Sequence, residues 1–403
     1  MKKELKRKFL LMVLVDVVVI LIFFIIIFVR FKPADSTPPV NSAPPVEEEI
    51  NVQETEGEMV EFSQPLIVKK KWYNIIRQKV TYDCVWFGSY PQAEIISQDM
   101  EKDYAAIESK YIEEGDLLVD TALYTQLQNS TDWDANGDIT LDGKKYRRMR
   151  KADASCSAVA ERSSYYRRYV WSDNTTYHYF LYEPIKWRIL WIDDTRALLL
   201  SDKVLDEQQC ISSVTWKTNT LRSWLNGYGS LENNYGRDYS NNNFIHSAFT
   251  SEEENAIVDT VTYRRGVEED GQTVDKLFLL SVADVILKKH GFVYHSENDK
   301  ARRAKSSTYA KAMGVDWHRY SVFGRTYRCS GCSDWWLRAP GKNKDFWMGV
   351  SSDGYVSSDG TYIPNTSGVR VGLYLDLTFT DFYSYAGTVC SNGAKYEVKA
   401  EKR

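Results

Sequence analysis

The sequence predicts an α+β domain carried behind a single N-terminal transmembrane helix. Three observations support this. An unbroken apolar stretch, Phe9 to Val29, follows a basic flank. Strand-like runs rich in β-branched and aromatic residues recur from Val80 to Leu375. Short helical segments with their own start and stop signals interrupt them, which fits α+β and not a doubly wound sheet. At 403 residues the chain has room for one large domain or two ordinary ones.

Taken in order, residues 1–8 read as a cytoplasmic basic tail, with Lys2, Lys3, Lys6, Arg7 and Lys8 against Glu4. Residues 9–31 read as the membrane helix, since about 20 apolar residues cross a hydrocarbon core of roughly 30 Å. No small-x-small cleavage site follows, so the segment reads as an anchor. The basic flank stays inside, which places the protein in the cell membrane as a single-pass, N-in chain with its domain outside. Asp16 interrupts the apolar run; it marks a partner helix or sits protonated near the inner third. Residues 32–71 hold Pro33, Pro38, Pro39, Pro44, Pro45 and the run Glu47-Glu48-Glu49, and read as a disordered Pro/Glu-rich tether. The folded domain is expected over 72–403.

Within it, Val80 to Phe87 reads as a strand and Gly88 to Gln92 as its turn. Asp132-Trp133-Asp134-Ala135-Asn136-Gly137 matches the first half of a calcium loop, but position twelve is Gly143 where a bidentate carboxylate is required. A tight Asx/Gly turn before a strand Ile139 to Met149 is the better reading. Trp187 to Ile192 and Arg196 to Leu200 form a hairpin around Asp193-Asp194-Thr195. Thr220 to Asn226 is a short helix closed by Gly227, and Thr250 opens another with a capping box. Leu277 to Leu280 is a buried strand, Ser281 to His290 a helix ending at Gly291, and Ser306 to Met313 a helix ending at Gly314. The late core is Ser333 to Gly341 with Gly368 to Leu373. Arg338 and Arg370 sit inside these apolar runs and must find acceptors or stay at an edge.

Formal net charge is -4 and pI about 5.9, which does not suggest a nucleic-acid binder. Aromatics reach 14%, led by 27 Tyr and 12 Trp, which fits either a strand-rich core or a surface that stacks on ligands. The six cysteines are Cys84, Cys156, Cys210, Cys329, Cys332 and Cys390. Cys329 and Cys332 read as a local loop disulfide, with free thiols, a redox pair and half a zinc site as alternatives. No Gly-x-Ser-x-Gly elbow, phosphate loop or His-Glu-x-x-His motif is present. No cofactor or metal is implied.

Several segments resemble the bacterial family known as domain of unknown function 6273, found in exported proteins of gut Firmicutes. They are Trp86-Phe87-Gly88-Ser89-Tyr90-Pro91-Gln92, Asn136 to Ile139 with Gly143 to Arg148, Glu183 to Leu190, Leu221 to Asn226, Trp335 to Gly341 and Gly368-Val369-Arg370. The Trp335-Trp336-Leu337-Arg338 block and closing Gly-x-Arg also resemble C-type-lectin-like folds, including the formylglycine-generating branch. That resemblance implies a mixed domain whose first and last strands pair, with long insertions. The Glu-Pro-Asn and Trp-Asn-Asp motifs of calcium-dependent lectins are missing, so no lectin-type calcium site is implied.

The function expected from this reading is non-catalytic binding of an envelope or extracellular ligand, glycan or protein. The candidate contacts are Trp335, Trp336, Arg338, Trp347, Tyr355, Tyr362 and Arg370. Neighbouring strand residues point opposite ways, so only one of Trp335 and Trp336 is expected outside. The rival readings are an enzyme built on the Cys329/Cys332 pair, redox or formylglycine-generating-like, and a purely structural envelope protein. Because the Asp132 loop lacks its twelfth ligand, millimolar calcium is expected to leave the melting temperature unchanged. A rise of several degrees that vanishes in Asp134→Ala, measured by thermal denaturation, would reverse that reading.

Overall fold

The computed structural model describes residues 62–391 apart from 73–74, 102–115, 155–165, 170, 209–214, 263–271, 294–298, 319–328, 330, 343–345, 357–360 and 363–366. The strands begin with β1 (Leu66–Trp72), β2 (Ile75–Ile96), β3 (Leu117–Val119), β4 (Asp138–Leu141), β5 (Lys144–Met149), β6 (Tyr166–Arg167) and β7 (His178–Ile192). They continue with β8 (Arg196–Ser201), β9 (Asp206–Glu207), β10 (Thr260–Thr262), β11 (Thr273–Asp275), β12 (Leu277–Phe278) and β13 (Trp317–His318). The last are β14 (Trp335–Pro340), β15 (Phe346–Val350), β16 (Thr361–Tyr362), β17 (Gly368–Val369), β18 (Gly372–Asp376) and β19 (Ser384–Cys390).

The main sheet has ten strands, ordered β1-β2-β7-β8-β18-β12 along its central path. β3 and β19 also pair with β2, and the β4–β5 hairpin joins through β5 to β7. A five-stranded sheet runs β16-β15-β14-β17-β9, and β10–β11 and β13–β6 form two small ribbons. The α+β expectation is therefore corrected: the described fold is mainly β-sheet, and its longest helix, Thr121–Asn129, has nine residues. The β-branched and aromatic runs dominate because each is buried on a pleated surface, while helix segments stop at their caps. Among the described residues the last strand, β19, pairs with β2.

The single-pass membrane expectation is corrected as well. Among the described residues no helix is long and apolar enough to cross a membrane. The expected span 9–31, its flank 1–8, Asp16 and most of the expected tether lie outside the described residues. The end of that tether is not a linker: Leu66 to Trp72 is paired along its length with Ile75 to Thr81, so the sheet begins before residue 72.

Several local readings change for identifiable reasons. Gly88 to Gln92 is not a turn, because β2 runs through it with shifted register at Trp86/Ser89 and Pro91/Ala93. Gly88 sits at φ 64°, and a Cβ there would lie 2.5 Å from the Phe249 ring, so the bulge needs glycine for both backbone and space. The expected strand Ile139 to Met149 is instead the β4–β5 hairpin, turned by Asp142 and Gly143, both with positive φ. The helix after Ser281 covers only Val282–Val285, and a 3₁₀ turn Lys288–His290 follows before Gly291. The Val285 carbonyl is taken by the Arg302 guanidinium at 3.0 Å, which closes the helix early. The hairpin around Asp193, the helix closed by left-handed Gly227 and the capping box at Thr250 form at the places expected.

The two large sheets share one core, with Trp187, Trp335, Trp336 and Trp347 among the largest fully buried side chains. Tyr90 on β2 donates a short hydrogen bond to Asp206 on β9, joining the ten- and five-stranded sheets. Burial pushes the Asp206 carboxyl up to about 7, against the opposing hydrogen bonds from Tyr90 and the Glu207 amide. Its folded value lies above the unfolded one, so the folded state holds this proton more tightly. The stability contributed is full below about pH 4 and is lost as pH rises through about 7. Asp206→Asn is expected to flatten that slope in urea titrations run from pH 4 to 8; an unchanged slope would show that Asp206 stays ionised in the fold.

Candidate functional site

Four of the seven sequence candidates lie in the core: Trp335 and Arg370 are 0% exposed and Trp336 and Trp347 are 1% exposed. The expectation that one of Trp335 and Trp336 faces outward is corrected, because β14 is a central strand covered on both faces. Trp335 donates its Nε1–H to the Arg302 carbonyl at 3.0 Å, and Trp347 donates to the Leu337 carbonyl at 2.5 Å. Arg370 donates Nε–H to the Ser201 carbonyl at 2.7 Å and lies 5.1 Å from the Trp335 ring. Burial, with Arg188 nearby, holds its guanidinium well below the usual arginine range. Arg338 is half-buried, donating to the Leu279 carbonyl at 2.8 Å and lying 3.3 Å from the Asp284 carboxylate. Tyr355 is exposed; the Tyr362 side chain lies outside the described residues, although its backbone pairs with Phe346. The structure does not gather these seven into one surface.

Cys329 and Cys332 are joined by a disulfide, and Cys332 is buried. Cys84 is a free, buried thiol pushed up to about 12, chiefly by burial and next by Asp202; Cys390 is free and half-buried. Cys156 and Cys210 lie outside the described residues.

A different surface is built on β4, β5 and the start of β7. In β5, Tyr146, Arg147 and Met149 are buried while Arg148 is half-buried. Arg147 turns into the core, where it grips Asp138 through Nε at 2.7 Å and Nη2 at 2.9 Å. Arg148, one residue on, points to the other face. Its guanidinium lies 4.8 Å from the Trp133 ring centre and 4.5 Å from that of Tyr177. The stack extends in both directions. Trp133 lies on Tyr179 at 5.8 Å and 26°, Tyr179 meets Tyr124 edge-on at 5.4 Å, and Arg150 covers Tyr177 at 5.3 Å. Burial pushes the Tyr179 hydroxyl up to about 12.

The calcium-like loop is what aims Trp133. The Asp134 carboxylate accepts from the amides of Asn136 and Asp138, both at 2.8 Å, which makes it an Asx turn. Gly137 closes it at φ 75°, its carbonyl accepting from the Arg148 amide at 2.8 Å. Trp133 donates to the Ser130 carbonyl at 2.9 Å, which fixes the ring. Among the described residues the Arg148 guanidinium has no hydrogen bond and no ion pair, whereas Arg150 pairs with Asp153 at 3.3 Å. Arg148 is thus held by ring faces with its N–H fork unused, a geometry suited to carboxylate or phosphate. Sequence reading missed Trp133, Arg148 and Tyr177 as a group; the aromatic-rich segment before His178 was the available signal.

The fold and this surface define a β-rich domain with an arginine–aromatic stack at one sheet edge. Residues 194–377 match the family model described as Domain of unknown function (DUF6273), which supports the family resemblance read from the motifs. The stack lies upstream of the matched region. No curated protein and no solved structure matches the chain.

The disulfide closes a very short loop, so it should stabilise by only about 2 kcal/mol. Replacing Cys329 and Cys332 together with serine is expected to lower the melting temperature by a few degrees. Non-reducing peptide mapping checks the pairing: either cysteine free, metal-bound or joined to another partner would refute it.

Proposed function

We propose that the domain is a binding module for a glycan or protein ligand that carries an anionic group. The observation behind this is Arg148, clasped between Trp133 and Tyr177 with its donors unoccupied. Stacking fixes the guanidinium plane before a ligand arrives, so little rotamer freedom remains to be lost on binding. The ring edges of Trp133, Tyr177 and Tyr124 offer apolar contact beside the charge, and each is only partly buried.

A screen of the full chain against acidic and neutral glycans and peptides tests the proposal. Acidic members are expected to bind. Arg148→Gln should weaken them roughly 10- to 100-fold, the scale of one charged hydrogen-bonded contact. Equal binding of neutral ligands, or binding unaffected by Arg148→Gln, would sink it.

A further inference from the structure

We propose that Ser172, His178 and Glu94 form a nucleophilic site that cleaves carboxylic esters through acyl transfer to the Ser172 hydroxyl. This goes beyond the binding reading and uses the opposite face of the same sheet edge. Ser172 Oγ lies 3.3 Å from His178 Nε2, and His178 Nδ1 lies 2.7 Å from Glu94 Oε1. The order is nucleophile, base and orienting carboxylate, none of it adjacent in sequence. His178 is 1% exposed and Glu94 0% exposed, while Ser172 is exposed, so the reactive oxygen alone faces solvent.

The fold explains how the three meet. Glu94 on β2 stands opposite Phe180 on β7, which puts it on the same face as His178, two residues earlier. The chain then brings Ser172 back over the imidazole from the preceding segment. That segment is tied down where β6 pairs with β13 and where Arg168 meets Asp316 at 3.0 Å. On the other side of Ser172, the Asp173 carboxylate accepts from the amides of Thr175 and Thr176 at 2.6 and 2.7 Å, closing a tight turn into β7. Tyr169 and Trp171 stand edge-on to the imidazole, with ring centres 5.7 and 4.9 Å away.

Proton placement follows from burial. A carboxylate as enclosed as Glu94 needs donors, and Nδ1–H supplies one. The Tyr169 oxygen also lies 2.7 Å from Nδ1. Nε2 is then left with its lone pair facing the Ser172 hydroxyl. In the first half-reaction Ser172 Oγ bonds to the ester carbonyl carbon as its proton passes to Nε2. The tetrahedral intermediate collapses, the carbon–alkoxy bond breaks, and Nε2 returns the proton to the departing alcohol. Water then attacks the acyl-serine while giving a proton to Nε2. That proton goes back to Oγ as the acid leaves, so ester and water become acid and alcohol with the site unchanged. Ser172 and His178 are the catalytic residues and Glu94 a positioning residue.

The test uses a fluorophosphonate probe on the full chain, with the labelled peptide mapped, and p-nitrophenyl acetate as the turnover substrate. Ser172 is expected to carry the label, and the acetate reaction to begin with a burst of one equivalent. Ser172→Ala, at an exposed position, should abolish both with an unchanged melting curve. His178→Gln should slow labelling roughly 10²-fold or more. Glu94→Gln should slow labelling and displace the acid limb of its pH profile, which a merely structural role would leave in place. If His178→Gln fails to fold, Ser172→Ala still decides. Arg148→Gln should label like the parent chain, so failure of the binding proposal leaves this one standing. A folded chain that takes no label, or labels equally in Ser172→Ala, would overturn it.

Discussion

Arg302 ties the irregular chain beside the two sheets to the core, through its guanidinium on one side and its carbonyl on the other. It is fully buried and donates to the carbonyls of Gly354 at 2.7 Å, Val293 at 2.8 Å and Val285 at 3.0 Å. A charge so placed is tolerable because its Nε and Nη1 donors meet carbonyl acceptors. In turn, irregular chain can lie inside the protein here because the guanidinium supplies the donors its carbonyls would otherwise lack. The carbonyl of Arg302 itself accepts from Trp335 on β14 at 3.0 Å and from Arg370 at 3.3 Å. Arg370 reaches on to Ser201 at the end of β8. One residue thus connects the five-stranded sheet, the main sheet and three loop ends, and an apolar substitute would leave those carbonyls unsatisfied.

The same logic explains why Trp335, Trp336 and Arg370 are core residues. An arginine in an apolar run reads from sequence as an edge residue or a ligand contact, because no acceptor is visible nearby. The acceptors for Arg370 belong to Ser201 and Arg302, about 170 and 70 residues away in the chain, and are backbone atoms. Side-chain patterning carries no trace of them. Local signals fared better: Gly227 closes its helix, Thr250 and Glu253 form a capping box, and Asp134 makes an Asx turn, all within a few residues. The overall class was harder. The short helices were legible from their caps, but the length of β2 was not, since Gly88 and Pro91 look like a turn until Phe249 is seen packed against the bulge.

The arginine–aromatic stack and the Ser172 constellation were illegible for a related reason. Trp133, Arg148 and Tyr177 come from a loop, a strand and a strand entry, and only the pairing of β5 with β7 aligns them. Arg148 stands opposite Tyr179 in that pairing, which places both on the ladder face. Ser172, His178 and Glu94 require the β2–β7 register in the same way. A one-residue slip in either register would send each set to the wrong face.

That register also keeps the two sites separate. Tyr177 and Tyr179 belong to the stack, while His178 and Phe180 between and beyond them face the other way. The alternation gives Arg148 a polarised, partly open surface, and gives Glu94 and His178 an enclosed one where a hydrogen bond is stronger than in water. Enclosure alone would make His178 a structural residue. What distinguishes it is that its far nitrogen ends at Ser172, whose hydroxyl is exposed while the groups behind it are not. A histidine needed only to satisfy Glu94 would be served by any buried donor at Nε2. Here the neighbouring Asp173 turn, built from the Thr175 and Thr176 amides, holds the chain so that the donor position is filled by an accessible alcohol.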